Sequence, residues 1–464
     1  MSVFGIYGYQ HASQVIYYGL HALQHRGQEG AGIVTFDADG EGHRYSGKGL
    51  VSEVFNKDNL SLLTGDMGIG NVRYTSKGKG LRVRGNASLN DVQPLYFRHR
   101  TGDFAVACDG SLVNAQQITD YLENKGNLLQ TGNESELLAH LIKKDGNEPR
   151  IFTIIDALNM MEGGFAFLIM TQNRIYACRD KYGIKPLALG RLGDAYVVSS
   201  ESCAFDLAGA QFIRDIEPGE IVTIDEKGIR SRRYSQFQRH KMCSMEYIYL
   251  ARPDSDIDGC NVHAFRREAG RRLWRECPAD ADIVVGVPDS SLSAAMGYAE
   301  ESGLPYEMGL IKNRYVGRTF IQPTQKMRER GVKLKLSAVR SIVKDKRIAL
   351  IDDSIVRGTT SLQIVKLLKD AGAKEVHVRI ASPMMKHPCY YGVDTSTYEE
   401  LLCSNRTLEE ACKCIEADSL GYLSPSSTTA STFGCSELCL ACFTGDYPTA
   451  LYNNDDLEAD DDIN

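Results

Sequence analysis

The chain has 464 residues, a formal net charge of -7, and 43% hydrophobic and 8% aromatic residues, an ordinary balance for a globular protein of two or three domains. No apolar run reaches the ~18 residues of a membrane span, and no basic-then-apolar leader opens the sequence, so a cytoplasmic protein with no membrane partner is the expectation. The acidic balance, part of it in DDLEADDD (455–462), argues against a nucleic-acid partner, although local basic loops can still meet phosphates. In a reducing compartment the 13 cysteines are expected to be mostly small buried hydrophobes, with a clustered few available as metal ligands.

Taken in chain order, MSVFGIYG reads as a buried strand closed by glycine. GIVTFDADGEGHRYSG, DAYVVSSES and EIVTIDEKGIRSRRY are β-rich runs separated by Gly and Asn turns, interrupted by one or two helices such as SELLAHLIKK. This pattern predicts stacked antiparallel sheets with helices outside, over residues 1–235. From about 262 the texture changes. HAFRREAGRRLWREC reads as a helix, ADIVVGVPDS as a strand entering a turn, and SLSAAMGYAEESG as a helix stopped by glycine. KRIALIDDSIVRG, TTSLQIVKLLKDAGA and EVHVRIASP repeat the strand–helix–strand plan, which predicts a parallel α/β domain over 236–450. SPSSTTAST (424–432) reads as a flexible loop, and 451–464 as an acidic flexible tail.

IALIDDSIVRGTTS carries the strongest chemical signal. Ile348–Ile351 predicts a strand buried on both faces, and Asp352 and Asp353 stand at its C-terminal end, where open α/β sheets bind ligands. Ser354, Gly358, Thr359 and Thr360 follow and open a helix, whose free N–H groups and hydroxyls form a phosphate cradle. The paired carboxylates suit ribose hydroxyls or a Mg²⁺ held through water; the alternative is a solvated turn and an N-cap. The segment resembles the signature of type I phosphoribosyltransferases, which bind phosphoribosyl pyrophosphate (PRPP). GVPDSS, from Gly286, matches that family's pyrophosphate-binding turn. The basic, glycine-punctuated KNRYVGRTFIQPTQKMRERGVKLKL, from Lys312, has the character of a loop that closes over an anion and excludes water, or else of a solvated charge run. The resemblance implies PRPP contacts at Gly286, Asp289, Ser290, Lys312, Arg318, Asp352, Asp353, Ser354, Arg357, Gly358, Thr359 and Thr360, and Mg²⁺ at Ser290, Asp352 and Asp353.

Cys439 and Cys442 form a C-x-x-C pair in CLACFTGDYPT, a spacing that suits zinc, redox chemistry or an iron–sulfur cluster alike. KMCSMEYIYLARPDS and HPCYYGVD resemble segments of the glutamine phosphoribosylpyrophosphate amidotransferase family, in its iron–sulfur subclass, and the resemblance runs from residue 1 to about 450. It implies a structural [4Fe–4S] cluster on Cys243, Cys389, Cys439 and Cys442, with Cys435 a bystander and zinc the next metal on chemistry alone.

The resemblance also implies an N-terminal-nucleophile (Ntn) hydrolase fold of four αββα layers for residues 1–235, a class II glutamine amidotransferase domain, followed by a type I phosphoribosyltransferase parallel sheet. In that family an N-terminal Cys attacks glutamine, with its own α-amine as base. Here Met1-Ser2-Val3-Phe4-Gly5 aligns with Cys-Gly-Val-Phe-Gly, and a thioether cannot replace a thiol. Ser2 stands in the register of the glycine, so strand alternation points its hydroxyl to the opposite face. The family's oxyanion-hole His-Asn-Gly reads Cys108-Asp109-Gly110. Its Asp for the glutamine amino group reads Glu134, and its Gly-His reads Gly70-Asn71. Arg73, for the glutamine carboxylate, and HRGQEGAGI (25–33) are retained. The expectation is an amidotransferase-like enzyme of purine synthesis that uses ammonia rather than glutamine. Purine nucleotides are the expected inhibitors, and the expected assembly is a homotetramer or a mixed oligomer with a paralogue. The alternatives are a non-catalytic partner of an active paralogue, or a glutamine-dependent enzyme with an unusual nucleophile.

Overall fold

The computed structural model describes residues 1–74, 89–100, 102–142, 150–235, 240–313, 336–395 and 397–452. Two antiparallel sheets fill the N-terminal half. The first has seven strands in the order Gln211–Asp215, Ala188–Leu192, Ala195–Ser199, Ser2–Tyr7, Met67–Arg73, Gly30–Phe36 and Gly42–Lys48. The second has six, in the order Gly228–Arg233, Glu220–Asp225, Arg174–Arg179, Gly163–Thr171, Phe104–Leu112 and Leu95–Phe97.

Strand alternation sorts side chains between three apolar layers. Val3, Ile69, Ala105, Ala107 and Leu168 pack between the sheets. Phe4 and Ile6 point the other way, against Ile16 and Leu20 of the helix Ala12–Ala22. Phe165 and Phe167 face Ile118, Leu138 and Ile154 from the helices Ala115–Asn124, Glu134–Leu141 and Arg150–Met160. The result is the four-layer helix–sheet–sheet–helix arrangement. It contains more helices than the one or two the sequence pattern suggested. Ala115–Asn124, for example, is short and largely polar, and burial of Ile118 and Leu122 stabilises it more than propensity does.

The second half is built on four parallel strands in the order Ile283–Gly286, Arg347–Asp352, Glu375–Ile380 and Ser419–Tyr422. The helices Val262–Glu276 and Leu292–Ser302 cover one face and cross at two glycines. A Cβ on Gly270 would fall 1.9 Å from the Ala294 carbonyl oxygen, and one on Gly297 would fall 1.9 Å from that of Arg267. Leu310–Lys312 and Leu336–Ala338 pair as an antiparallel ribbon. Arg318 and most of the basic segment that the ribbon flanks lie outside the described residues.

Residues 424–432 are not a loop. Pro425–Ala430 is helical, capped by Ser424, and Thr428, Ser431 and Thr432 are buried. Glu276 fixes this helix by accepting hydrogen bonds from the Ser424 N–H and from the Ser424 and Ser427 hydroxyls. Tyr452, placed by sequence in the acidic tail, donates its hydroxyl to Glu162 at 3.0 Å. Residues 453–464 lie outside the described residues. Among the described residues no helix is long and apolar enough to cross a membrane.

Candidate functional site

Three groups of the residues singled out by sequence assemble in space. The first lies at the C-terminal ends of two neighbouring parallel strands. Gly286 pairs with Ile351, which brings the turn after Gly286 beside Asp352 and Asp353. The Ser290 hydroxyl donates to Asp353, the Ser354 hydroxyl to Asp353 at 2.8 Å, and the Ser291 hydroxyl to Asp352 at 2.9 Å. Burial, and for Asp352 also the neighbouring Asp353, pushes both carboxyls above the usual carboxylate range. A carboxyl pair raised in this way is a ready receiver for a cation, which would restore its charge.

Gly358, at φ 76, turns the chain into the helix Thr359–Asp370, whose first N–H groups have no side-chain cap from that residue. A side chain there would also meet Leu402 at 2.8 Å. Two cations of this group already have partners. Lys312 donates to Asp289 at 2.6 Å, and Arg357 to Glu400 at 2.7 Å. Ser291 closes the GVPDSS turn that the sequence singled out but was not among the expected contacts, and sequence reasoning missed the buried Arg266, whose charge favours the ionised form of Asp353. The doubled serine in PDSS was the available signal for Ser291; nothing local marked Arg266.

The second group is a thiol-lined pocket. Cys243 and Cys439 are register partners in the short parallel ribbon Met242–Cys243 and Leu438–Cys439. Cys389 and Cys442 line the same pocket, with Met245, Met385, Tyr391, Val393 and Tyr447. The Lys386 and His387 N–H groups each donate to the Cys442 carbonyl at 3.0 Å, which docks the C-terminal segment. Burial raises all four thiols, and neighbouring thiols add to this at Cys243, Cys439 and Cys442. Cys435 is exposed. Among the described residues, no three of the four sulfurs come within 4.8 Å of one another. Four thiolates on one zinc, each at ~2.3 Å, would sit about 3.8 Å apart. Four thiols in an apolar pocket form a donor set that could hold an iron–sulfur cluster, with a single zinc ion the alternative.

The third group surrounds the first strand. Met1 continues the alternation of Val3 into the space between the sheets, where its sulfur lies 3.8 Å from Gln93 Nε2. Ser2 shares the opposite face with Phe4, and its hydroxyl is buried without a hydrogen bond among the described residues. The Met1 α-amine donates to the Arg26 carbonyl at 3.0 Å. Burial pushes that amine down to about 6, against the pull of Asp109.

Asp109 is 1% exposed and accepts from Arg26 Nη2 and from the Ser200 hydroxyl, both at 3.2 Å. Burial alone would raise its carboxyl; Lys185 and then Arg26 overcome burial and hold it below its ordinary value. Gly110, at φ 122, has no room for a side chain, since a Cβ would lie 2.0 Å from the Gly164 carbonyl oxygen. Asn71 reaches across the sheets to donate to the Cys108 carbonyl at 3.1 Å. Gln93 accepts from the Cys108 N–H at 2.6 Å and from the Ser135 hydroxyl at 2.7 Å. Arg73 Nη1 has no hydrogen bond among the described residues and lies 3.8 Å from Asp91. Burial pushes Glu134 up to about 7, only partly countered by backbone N–H groups and Arg73. Gln93, Lys185, Ser200, Glu201 and Glu246 were not singled out by sequence. Each reaches the site through contacts distant in the chain.

Comparison with known proteins fits this pairing of halves. Residues 81–206 match the glutamine amidotransferase domain family, and 267–415 match the phosphoribosyl transferase domain family. The amidophosphoribosyltransferase of Bacillus subtilis (strain 168) is 51% identical over 459 residues, covering 97% of this chain and 94% of the relative. That of Staphylococcus aureus (strain N315) is 46% identical, covering 97% of this chain and 91% of the relative. The solved structure of the B. subtilis glutamine PRPP amidotransferase, complexed with ADP and GMP, has a TM-score of 0.91 at 50% identity and covers 98% of both chains. The chain belongs to the amidophosphoribosyltransferase family.

Proposed function

We propose that the chain forms 5-phosphoribosylamine and pyrophosphate from PRPP with ammonia as nucleophile, the first step of purine synthesis, and that its glutaminase half does not hydrolyse glutamine. One observation carries the reading. The strand end brings Ser290, Ser291 and Ser354 onto Asp352 and Asp353, whereas the pocket between the sheets presents the Met1 thioether and an ion-paired Asp109. A fixed carboxylate where a tetrahedral oxyanion would form opposes its charge. Loss of a single donor from such a hole already costs ~2.7–4 kcal/mol of transition-state stabilisation. Ser2 offers no rescue, because its hydroxyl faces the helical layer.

In the phosphoribosyl half, Asp352 and Asp353 would hold the ribose diol, and Ser354–Thr360 with the helix N-terminus the 5′-phosphate. The turn from Gly286 to Ser290 would hold the pyrophosphate. The ammonia lone pair attacks C1 of the ribose as the bond to the pyrophosphate oxygen breaks. The chain's contribution is positioning and charge neutralisation. Ser290, Asp352 and Asp353 would hold Mg²⁺, which neutralises charge on the departing pyrophosphate. Lys312 and Arg357 would exchange Asp289 and Glu400 for substrate phosphate. Cys243, Cys389, Cys439 and Cys442 would hold a [4Fe–4S] cluster whose role is structural, tying the C-terminal segment to the rest of the chain. Purine nucleotides are proposed as regulators, in line with the ADP and GMP bound by the B. subtilis relative.

Pyrophosphate release from PRPP tests the reading. It is expected with ammonium chloride at alkaline pH, where free ammonia is available, and not with glutamine at neutral pH. Glutamine hydrolysis at rates matching the ammonia-dependent turnover would overturn it. Absence of both activities with PRPP still bound would replace catalysis by a regulatory role.

A further inference from the structure

Asp109 lies within a closed group of buried charges. Arg26 donates to both oxygens of Glu246, at 2.7 and 2.9 Å, to Glu201 at 2.7 Å and to Asp109 at 3.2 Å. Lys185 lies 3.3 Å from Glu246 and 3.6 Å from Asp109. His25 Nε2 donates to the ionised Glu201 carboxylate at 2.7 Å. The side chains of Arg26, Lys185, Asp109, Glu201 and Glu246 are all at most 4% exposed.

These residues come from separate parts of the fold. Arg26 follows the helix Ala12–Ala22, and Asp109 sits in the six-stranded sheet. Glu201 follows a strand of the seven-stranded sheet, and Lys185 bridges strands of the two sheets. Glu246 opens the turn of π-helix Glu246–Leu250, three residues beyond Cys243.

We infer that Asp109 is a counter-ion rather than a mere loss, and that this group is an ion clamp fastening both N-terminal sheets to the Cys243–Leu250 segment. The inference rests on the reading that Asp109 replaces an oxyanion-hole amide. Its geometric warrant is the position of Lys185. Arg26 engages both oxygens of Glu246, so Lys185 has only a shared charge there, and Asp109 supplies the second carboxylate it needs. A buried cation deprived of one partner is strongly destabilising, whereas removing both members of a buried pair is often nearly neutral. The pocket that hydrolyses glutamine in the family would then serve here as a joint between the halves.

The test is a double-mutant cycle on the full chain. Asp109→Asn is nearly isosteric and restores the amide. It should lower the thermal midpoint by several degrees, as should Lys185→Met. The combined variant should recover most of the loss, because neither partner is left alone. Hydrogen exchange adds a readout that general destabilisation would not reproduce. In Asp109→Asn, amides of 243–250 should exchange faster, while those of the distant strand Glu220–Asp225 should not. Should the single variants fail to fold, folding of the double variant supports the clamp and its failure refutes it. An Asp109→Asn protein as stable as the parent, or additive losses in the double variant, would also refute it. Because no arm of this test uses glutamine, refuting the clamp leaves the proposed activity standing, and glutamine turnover by the parent would leave the clamp to be judged on stability alone.

Discussion

Replacing Glu134 by Gln should stabilise the protein at neutral pH and leave it little changed in acid. Burial lifts the Glu134 carboxyl from 4.5 to about 7. Between those values the folded state keeps a proton that the unfolded chain has released, so this group subtracts stability as pH rises through the window. At ~1.4 kcal/mol per pH unit, the full span amounts to about 3 kcal/mol. Gln imitates the protonated acid and cannot ionise, so the difference in unfolding free energy, variant minus parent, should climb between pH 4.5 and 7 and then level off. The Met1 α-amine, lowered from 8.0 to about 6, acts in the opposite sense: its contribution falls as pH drops from 8 to 6. It is common to both proteins and cancels in the difference. Urea unfolding followed by far-UV circular dichroism at several pH values measures the effect. The single tryptophan, Trp274, lies in the helix Val262–Glu276 and reports the other half separately. A difference that is flat with pH would mean that Glu134 is ionised when folded, and the argument that burial raises its carboxyl would fail.

Three further outcomes are expected. Anaerobically purified protein should be brown with about four irons per chain, and Cys442→Ser should lose the colour and the docking of the C-terminal segment; stoichiometric zinc without iron would reject the cluster. Asp353→Asn should weaken Mg²⁺-dependent PRPP binding about tenfold, or ~1.4 kcal/mol; unchanged affinity by calorimetry would mean the site is misplaced. Gly297→Ala should destabilise the phosphoribosyl half by about 1–3 kcal/mol, because its Cβ must push against the Arg267 backbone at 1.9 Å rather than against a movable side chain; an unchanged midpoint followed by Trp274 fluorescence would contradict that packing.

Local pattern made the two sheet classes and the strand end at Asp352 legible in the sequence. Period-two alternation decides which way Met1 and Ser2 face, and an apolar run ending in two carboxylates before a Gly-Thr-Thr helix start is a motif contained in a few consecutive residues. The Ser/Thr-rich stretch 424–432 misled because its composition favours a loop in isolation; Glu276, 148 residues away from Ser424, supplies the acceptors that let those hydroxyls be buried in a helix. The surroundings of Asp109 were equally invisible. Its sequence neighbours say only that a charge stands where an amide belongs. Arg26 is 83 residues away, and the Glu246 that shares that arginine is 220 away from it. Whether a buried carboxylate is a defect or a counter-ion depends on which cations the fold brings within a few ångströms. That is set by the stacking of the two sheets and the return of the Cys243–Leu250 segment against them, and only the tertiary structure decides it.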